Sequence, residues 1–312
     1  MTEKIAFLYP GQGSQYIGMG KDFYEKYPLV EEFYQKANHI LNYDITSLSF
    51  SGPEESLRLT KNTQPAILIH SIVATKILRE RGIKPIIAAG HSLGEYSALV
   101  SAGALSFEEG VLLVHQRGIF MQEAVPLGKG AMAAIIGLDR ERVDELIQKV
   151  SSDKIVQPAN FNSLNQIVIA GEREGVEEAV RIAKEDGAIK AVLLPVSGPF
   201  HSSLMQPAAE RLKTELDKIE IKDLSFSIIA NVNAEKVSSK DRIKELLVEQ
   251  LYNPVQWERS ISKLIEEGID TFIEVGPGKV LTGLLRRISK DVQGFNVEDI
   301  KSLEKTLNSL DR

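Results

Sequence analysis

The chain has 312 residues, no cysteine and a formal net charge of −6. The lack of thiols excludes disulfide staples, thiolate metal sites and a cysteine nucleophile, and it fits a reducing compartment. An acidic balance, 37 basic against 43 acidic side chains, argues against nucleic acid as a partner, because phosphate binding needs a concentrated positive field.

Residues 1–5 lack the basic start and apolar core of a secretion signal, and no apolar run approaches bilayer length. A cytoplasmic protein that does not enter a membrane is expected. Residues 5–9 read as a buried strand, ended by Pro10 and a Gly-Gln-Gly loop. A long helix follows over 64–81, then a strand over 85–89, a helix-forming segment over 95–100 and a helix over 107–124. Alternating strands and helices argue for a parallel sheet covered on both faces. From 131 to 196 the order becomes strand (131–137), helix (139–150, Asp139 as N-cap), two strands (154–158 and 166–170) around an Asn-rich turn, helix (174–185) and strand (188–196). This βαββαβ order is the split βαβ arrangement of ferredoxin-like domains. The expected organisation is therefore a hydrolase-like α/β parallel-sheet domain over 1–128 and 198–312, interrupted by a ferredoxin-like domain over 129–197. A helix over 202–218, a strand over 225–231, a helix over 240–251 and a strand over 270–275 complete the large domain. An amphipathic tail over 297–310 is expected to pack as a surface helix.

The chemistry centres on Gly90-His91-Ser92-Leu93-Gly94, between the 85–89 strand and the following helix. A serine at such a corner sits on a sharp turn that pushes its hydroxyl outward, and glycines two residues either side let strand and helix cross closely. A serine hydroxyl needs a base to remove its proton. Of the five histidines, His39 and His70 lie in helical patterns, His115 sits mid-helix and His91 adjoins the serine but points elsewhere. His201 lies where a strand gives way to a helix, at the sheet edge that also carries the elbow. A helix N-terminus there disfavours imidazolium and keeps the ring able to accept a proton.

Acyl chemistry also needs donors for an oxyanion. The N–H of Leu93 is one candidate. The N–H of Gln12 is the other, although Gly11 and Gly13 around it are equally compatible with a tight turn. A dinucleotide fingerprint starting at Gly11 fails, because the third glycine position is Tyr16. Arg117 projects from a mainly apolar helix face, where a guanidinium must find an anion. That anion is either a core carboxylate of the chain or a substrate carboxylate gripped by two parallel N–H bonds.

Set in these motifs, Ser92, His201 and Arg117 resemble the malonyl-CoA:acyl-carrier-protein transacylases of fatty acid synthesis, over nearly the whole chain. Matching stretches include Pro10-Gly11-Gln12-Gly13-Ser14-Gln15, Thr63-Gln64-Pro65-Ala66, Gln116-Arg117-Gly118, Tyr252-Asn253-Pro254-Val255-Gln256-Trp257 and Glu274-Val275-Gly276-Pro277-Gly278. The resemblance implies that Ser92 is acylated, that His201 is its base and that Arg117 holds the malonyl carboxylate. It places Gln12 and Leu93 in the oxyanion hole. It also implies a histidine oriented by a backbone carbonyl at Gln250, with Gln64 and Asn162 near the site and Phe200 resembling malonyl-selective members. Malonyl-CoA and acyl carrier protein are the implied partners, with no cofactor or metal and a monomeric chain. Because carrier proteins are acidic, a basic docking face is expected, either Arg286, Arg287 and Lys290 or Arg79, Arg81 and Lys84. Two other functions fit part of the pattern: a hydrolase using the same serine, and a non-catalytic module that binds acyl carriers.

Overall fold

A computed structural model describes residues 4–196 and 198–310. Met1 to Glu3, part of the segment read for a leader, and Ser197, which ends the expected small domain, lie outside them. Strands β1 (Ile5–Tyr9), β2 (Ile87–Gly90), β3 (Gly130–Ile136), β4 (Val156–Ser163), β5 (Gln166–Glu172), β6 (Lys190–Leu193), β7 (Ser227–Ile229), β8 (Lys236–Val237), β9 (Thr271–Val275) and β10 (Gln293–Val297) form two sheets. The larger has the order β10-β9-β1-β2-β7-β8 and is parallel except for β8, an antiparallel edge. Along β1, Ile5, Phe7 and Tyr9 face one apolar core, while Ala6 and Leu8 face another on the opposite side. Period-two burial on both faces is what a central strand between helical layers requires.

The smaller sheet is antiparallel, with the order β4-β5-β3-β6. Ala131, Ala133 and Ile135 of β3 face helices Arg140–Lys149 and Arg173–Glu185, whereas Met132 and Ala134 join the core of the large sheet. The second sheet thus rests one apolar face on the first unit. Asp139 caps its helix by accepting from the Arg142 N–H.

Several elements differ from their sequence reading, each for a local reason. The long helix starts at Thr60 and runs to Glu80, with Pro65 inside it. Pro65 has no N–H to give the Lys61 carbonyl, and His115 Nδ1 donates to that carbonyl instead, at 2.8 Å. Asn160 and Asn162 lie within β4 rather than in a turn; register shifts interrupt the strand at Ala159 and Asn162, and Val255 pairs with it from outside. Residues 202–218 divide into a short 3₁₀ turn, Ser203–Met205, and helix Gln206–Asp217, whose start is set by Pro207. Val297 belongs to β10, and Asp299 caps the tail helix Ile300–Ser309. Helices Pro28–Leu41, Trp257–Glu266 and Val280–Ile288 were not expected from the sequence. No helix among the described residues is long and apolar enough to cross a membrane.

Candidate active site

Tyr9 pairs with Gly90, so β1 and β2 end together and their loops share one edge of the sheet. Ser92 follows with φ 51° and ψ −101°, a left-handed conformation that a non-glycine residue adopts only under constraint. The constraint is visible in the glycines. A Cβ on Gly90 would collide with Gly94, and one on Gly94 with the Tyr9 carbonyl. A Cβ on Gly11 would strike the His91 carbonyl, so the Gln12 loop is seated directly on the elbow.

His201 also has a positive φ, 61°, and is buried. Its N–H donates to the Leu251 carbonyl at 3.1 Å, and its Nδ1 lies 2.7 Å from the Gln250 carbonyl. A carbonyl only accepts, so Nδ1 carries the proton and Nε2 is bare. That bare nitrogen is 2.8 Å from Ser92 Oγ, where it accepts the hydroxyl proton. Burial and the nearby Arg117 charge push the His201 pKa down to about 3.

Arg117 is 1% exposed and supplies the second bond to the hydroxyl, Nη2 donating to Ser92 Oγ at 3.0 Å. Gly118 makes this approach possible, since a Cβ there would strike the Lys61 backbone and hold helix Phe107–Glu123 away from Thr60–Glu80. Arg117 Nη1 donates to Gln64 Oε1 at 2.8 Å, and Nη2 also donates to Gln250 Oε1 at 2.9 Å. The Tyr96 ring lies 5.1 Å from the guanidinium carbon, and Nε has no acceptor among the described residues. No carboxylate of the described residues forms an ion pair with Arg117. Its hydrogen-bond partners are two amides and one hydroxyl, and the Glu95 carboxyl acts on it only from behind Gln250, so a cation lies buried beside the serine with no direct ion pair among the described residues.

The remaining candidates lie close by. The Leu93 N–H opens helix Leu93–Ala102, and neither it nor the Gln12 N–H donates to an acceptor among the described residues. The Gln12 side chain is turned away, to Thr60 Oγ1 at 3.3 Å. Asn162 does not meet Ser92; it meets His91 Nε2 at 2.8 Å and steadies the loop. Phe200 is buried next to His201. A cleft of about 380 Å³, lined by Gln12, Tyr16, Leu57, Arg58, Leu194 and Val196 among others, opens beside the Gln12 loop.

Three groups were not singled out from the sequence. Asn231 Oδ1 accepts from the Ser92 N–H at 2.7 Å while its Nδ2 donates to the Gly90 carbonyl at 2.7 Å, clamping the elbow from β7. Its place just beyond the carboxyl end of a strand is a signal that could have found it. Glu95 and the Gln250 side chain form a second anchor, Gln250 Nε2 donating to Glu95 Oε2 at 2.7 Å. A lone carboxylate in the otherwise uncharged helix Leu93–Ala102 was the available sign for Glu95.

The two expected basic faces are not equivalent. Helix Thr60–Glu80 descends from the elbow edge, so Arg79, Arg81 and Lys84 lie at the opposite edge of the sheet, and Arg79 is already bonded to Ser101. Arg286 instead lines a groove with Lys279 and Lys305, none of them in an ion pair among the described residues. Arg287 reaches Gln166 of the second sheet.

The family model for the acyl transferase domain matches residues 6–306. A malonyl CoA-acyl carrier protein transacylase of Bacillus subtilis is 52% identical over 308 residues, covering 98% of this chain and 97% of that protein. The Escherichia coli enzyme of the same name is 48% identical over 289 residues, covering 92% and 93%. Among solved structures, the transacylase of Clostridium perfringens has a TM-score of 0.95 at 48% identity, covering 99% of this chain and 97% of its own. A malonyl-transacylase solved in complex with its type II PKS acyl-carrier protein has a TM-score of 0.96 at 44% identity, covering 98% and 100%. With the family model spanning nearly every described element and such relatives aligned almost end to end, the chain belongs to the acyl transferase domain family.

Proposed function

We propose that the chain transfers malonyl groups from malonyl-CoA to the phosphopantetheine thiol of acyl carrier protein, through an ester on Ser92, supplying extender units for fatty acid synthesis. The observation that carries this reading is the buried Arg117, hydrogen-bonded to no carboxylate among the described residues, bonded to the serine that would carry the acyl group. A simple ester offers such a cation nothing, which disfavours the hydrolase reading. The names and the carrier complex of the relatives support the same choice.

In the first half-reaction His201 Nε2 takes the Ser92 proton as Oγ attacks the thioester carbon. The Leu93 and Gln12 N–H groups receive the developing oxyanion at the helix N-terminus. The carbon–sulfur bond breaks, and the departing thiolate takes the proton from His201 to leave as CoA. An ester oxygen is a poorer acceptor than a hydroxyl, so acylation frees an Arg117 Nη2 hydrogen. Beside the spare Nη1 hydrogen, it forms the parallel pair that a carboxylate accepts. In the second half-reaction His201 takes the proton of the carrier thiol, sulfur attacks the ester carbon, and Ser92 Oγ leaves with the proton. All proton and bond changes fall on the substrates, Ser92 and His201, so the cycle runs without a cofactor or metal. We take residues 129–197 as a ferredoxin-like domain bearing Asn162, set into a catalytic domain of 1–128 and 198–312, in a cytoplasmic enzyme.

The test is intact mass measurement after mixing with malonyl-CoA. The chain should gain one malonyl group and lose it to added holo carrier protein. No adduct, or loss to water at the same rate without carrier, rejects the transferase.

Because His201 stays neutral until about pH 3, the acylation rate should be nearly flat from pH 8 to 5. An imidazole at its ordinary value would lose about thirtyfold over that range. A pH–rate profile with an acid limb near 6.5 contradicts the assignment. For docking, Arg286→Glu with Arg287→Glu should raise the apparent KM for carrier protein by about tenfold and leave that for malonyl-CoA unchanged. Equal effects on both substrates, or none, dismiss that face.

A further inference from the structure

We propose that Glu95 is a positioning residue: by accepting from the Gln250 side-chain amide it keeps that amide's oxygen turned to Arg117, and so holds the guanidinium for the substrate carboxylate. Glu95 is 2% exposed and sits in the first turn of the elbow helix. Its Oε2 accepts from Gln250 Nε2 at 2.7 Å and from the Asn231 N–H at 3.1 Å. Gln250 is wholly buried, and its Nε2 also donates to the Ser92 carbonyl at 3.0 Å.

An amide has one accepting end and one donating end. As observed, the two Nε2 hydrogens meet Glu95 and Ser92, and Oε1 meets Arg117 Nη2. Reversed, Nε2 would face an Arg117 donor, while Oε1 would face a carbonyl and a carboxyl oxygen. Every contact would then pair like with like, at the cost of leaving buried groups unsatisfied. Glu95 supplies one of the three contacts that fix the observed orientation, and the only one from a carboxyl group among the described residues. Gln250 thereby serves the site twice, its backbone carbonyl on His201 and its side chain on Arg117. Burial holds the Glu95 carboxyl up at about 7. A proton on Oε1 leaves Oε2 accepting, so the role needs an acceptor and not a charge. Glutamine, whose carbonyl can accept both bonds, should therefore replace it.

This inference rests on the reading that Arg117 grips a substrate carboxylate, and the test separates the two. Acylation by malonyl-CoA and by acetyl-CoA is measured for the parent, Glu95→Ala, Glu95→Gln, Gln250→Met and Arg117→Met. Glu95→Ala should raise the apparent KM for malonyl-CoA by about tenfold and lower the malonyl-to-acetyl preference by a similar factor, and Glu95→Gln should restore both to within about twofold. Gln250→Met, which keeps the backbone carbonyl on His201, should lose the same preference, and it substitutes for Glu95→Ala if that variant does not fold. Equal losses for both acyl groups, or no rescue by glutamine, overturn the role of Glu95 while Arg117→Met still loses malonyl preference. If Arg117→Met keeps that preference, the reading of Arg117 itself fails.

Discussion

Ser92→Ala should yield no acyl adduct and cut malonyl transfer to carrier protein by about 10⁴- to 10⁶-fold, with the fold unchanged. The loss is large because the ester is the only link between the two half-reactions, so nothing else can hold the acyl group when CoA has left. The fold should survive because alanine keeps the Cβ that φ 51° already accommodates, and only a hydroxyl bonded to His201 and Arg117 is removed. His201→Ala should fall to a comparable level, since Nε2 is the only protein acceptor of the Ser92 proton among the described residues. The double variant should be no worse than either single one, because the two groups act as a unit. Intact mass and a carrier-transfer assay read both claims. An adduct persisting on Ser92→Ala would place the acyl group elsewhere and end this mechanism.

What could be read from the sequence was the chemistry written within a few adjacent residues. The elbow is local: Gly90 and Gly94 touch each other, and strand, turn and helix follow within one short stretch. Gln250, Gln64 and Asn162 came only through resemblance, because their contacts join chain positions far apart; Gln250 and Glu95 are separated by 155 residues. No periodicity marks such a pair. The same limit hid the true course of β4. Asn160 and Asn162 look like turn formers, yet tertiary partners, Val255 on the backbone and His91 on a side chain, hold them extended. Pro65 was misleading for a similar reason: the carbonyl it orphans is served by His115 from another helix. For Arg117 the sequence left two anions open; among the described residues its hydrogen-bond partners are neutral, with Glu95 one residue further off behind Gln250, which supports the substrate carboxylate proposed above.

Arg117→Met should lower acylation by malonyl-CoA by about 10²- to 10³-fold while acetyl-CoA is used as well as before or better. The same variant should leave thermal stability nearly unchanged, with Tm within about 4 °C of the parent. Two opposing terms set that expectation. Removing the guanidinium relieves the cost of burying an ion, which amounts to several kcal/mol in proteins. It also leaves the Gln64 and Gln250 amide oxygens without a donor, at about 1–3 kcal/mol each. These are of similar size, and methionine's flexible chain fills much of the space. If Arg117 were instead half of a structural ion pair, losing it would strand a buried carboxylate and cost about 3–5 kcal/mol, roughly 10 °C in a chain this long. Malonyl and acetyl kinetics, read beside a melting curve of the same variant, therefore separate a receptor for substrate from a prop of the core. A steep fall in Tm with selectivity intact would identify the prop.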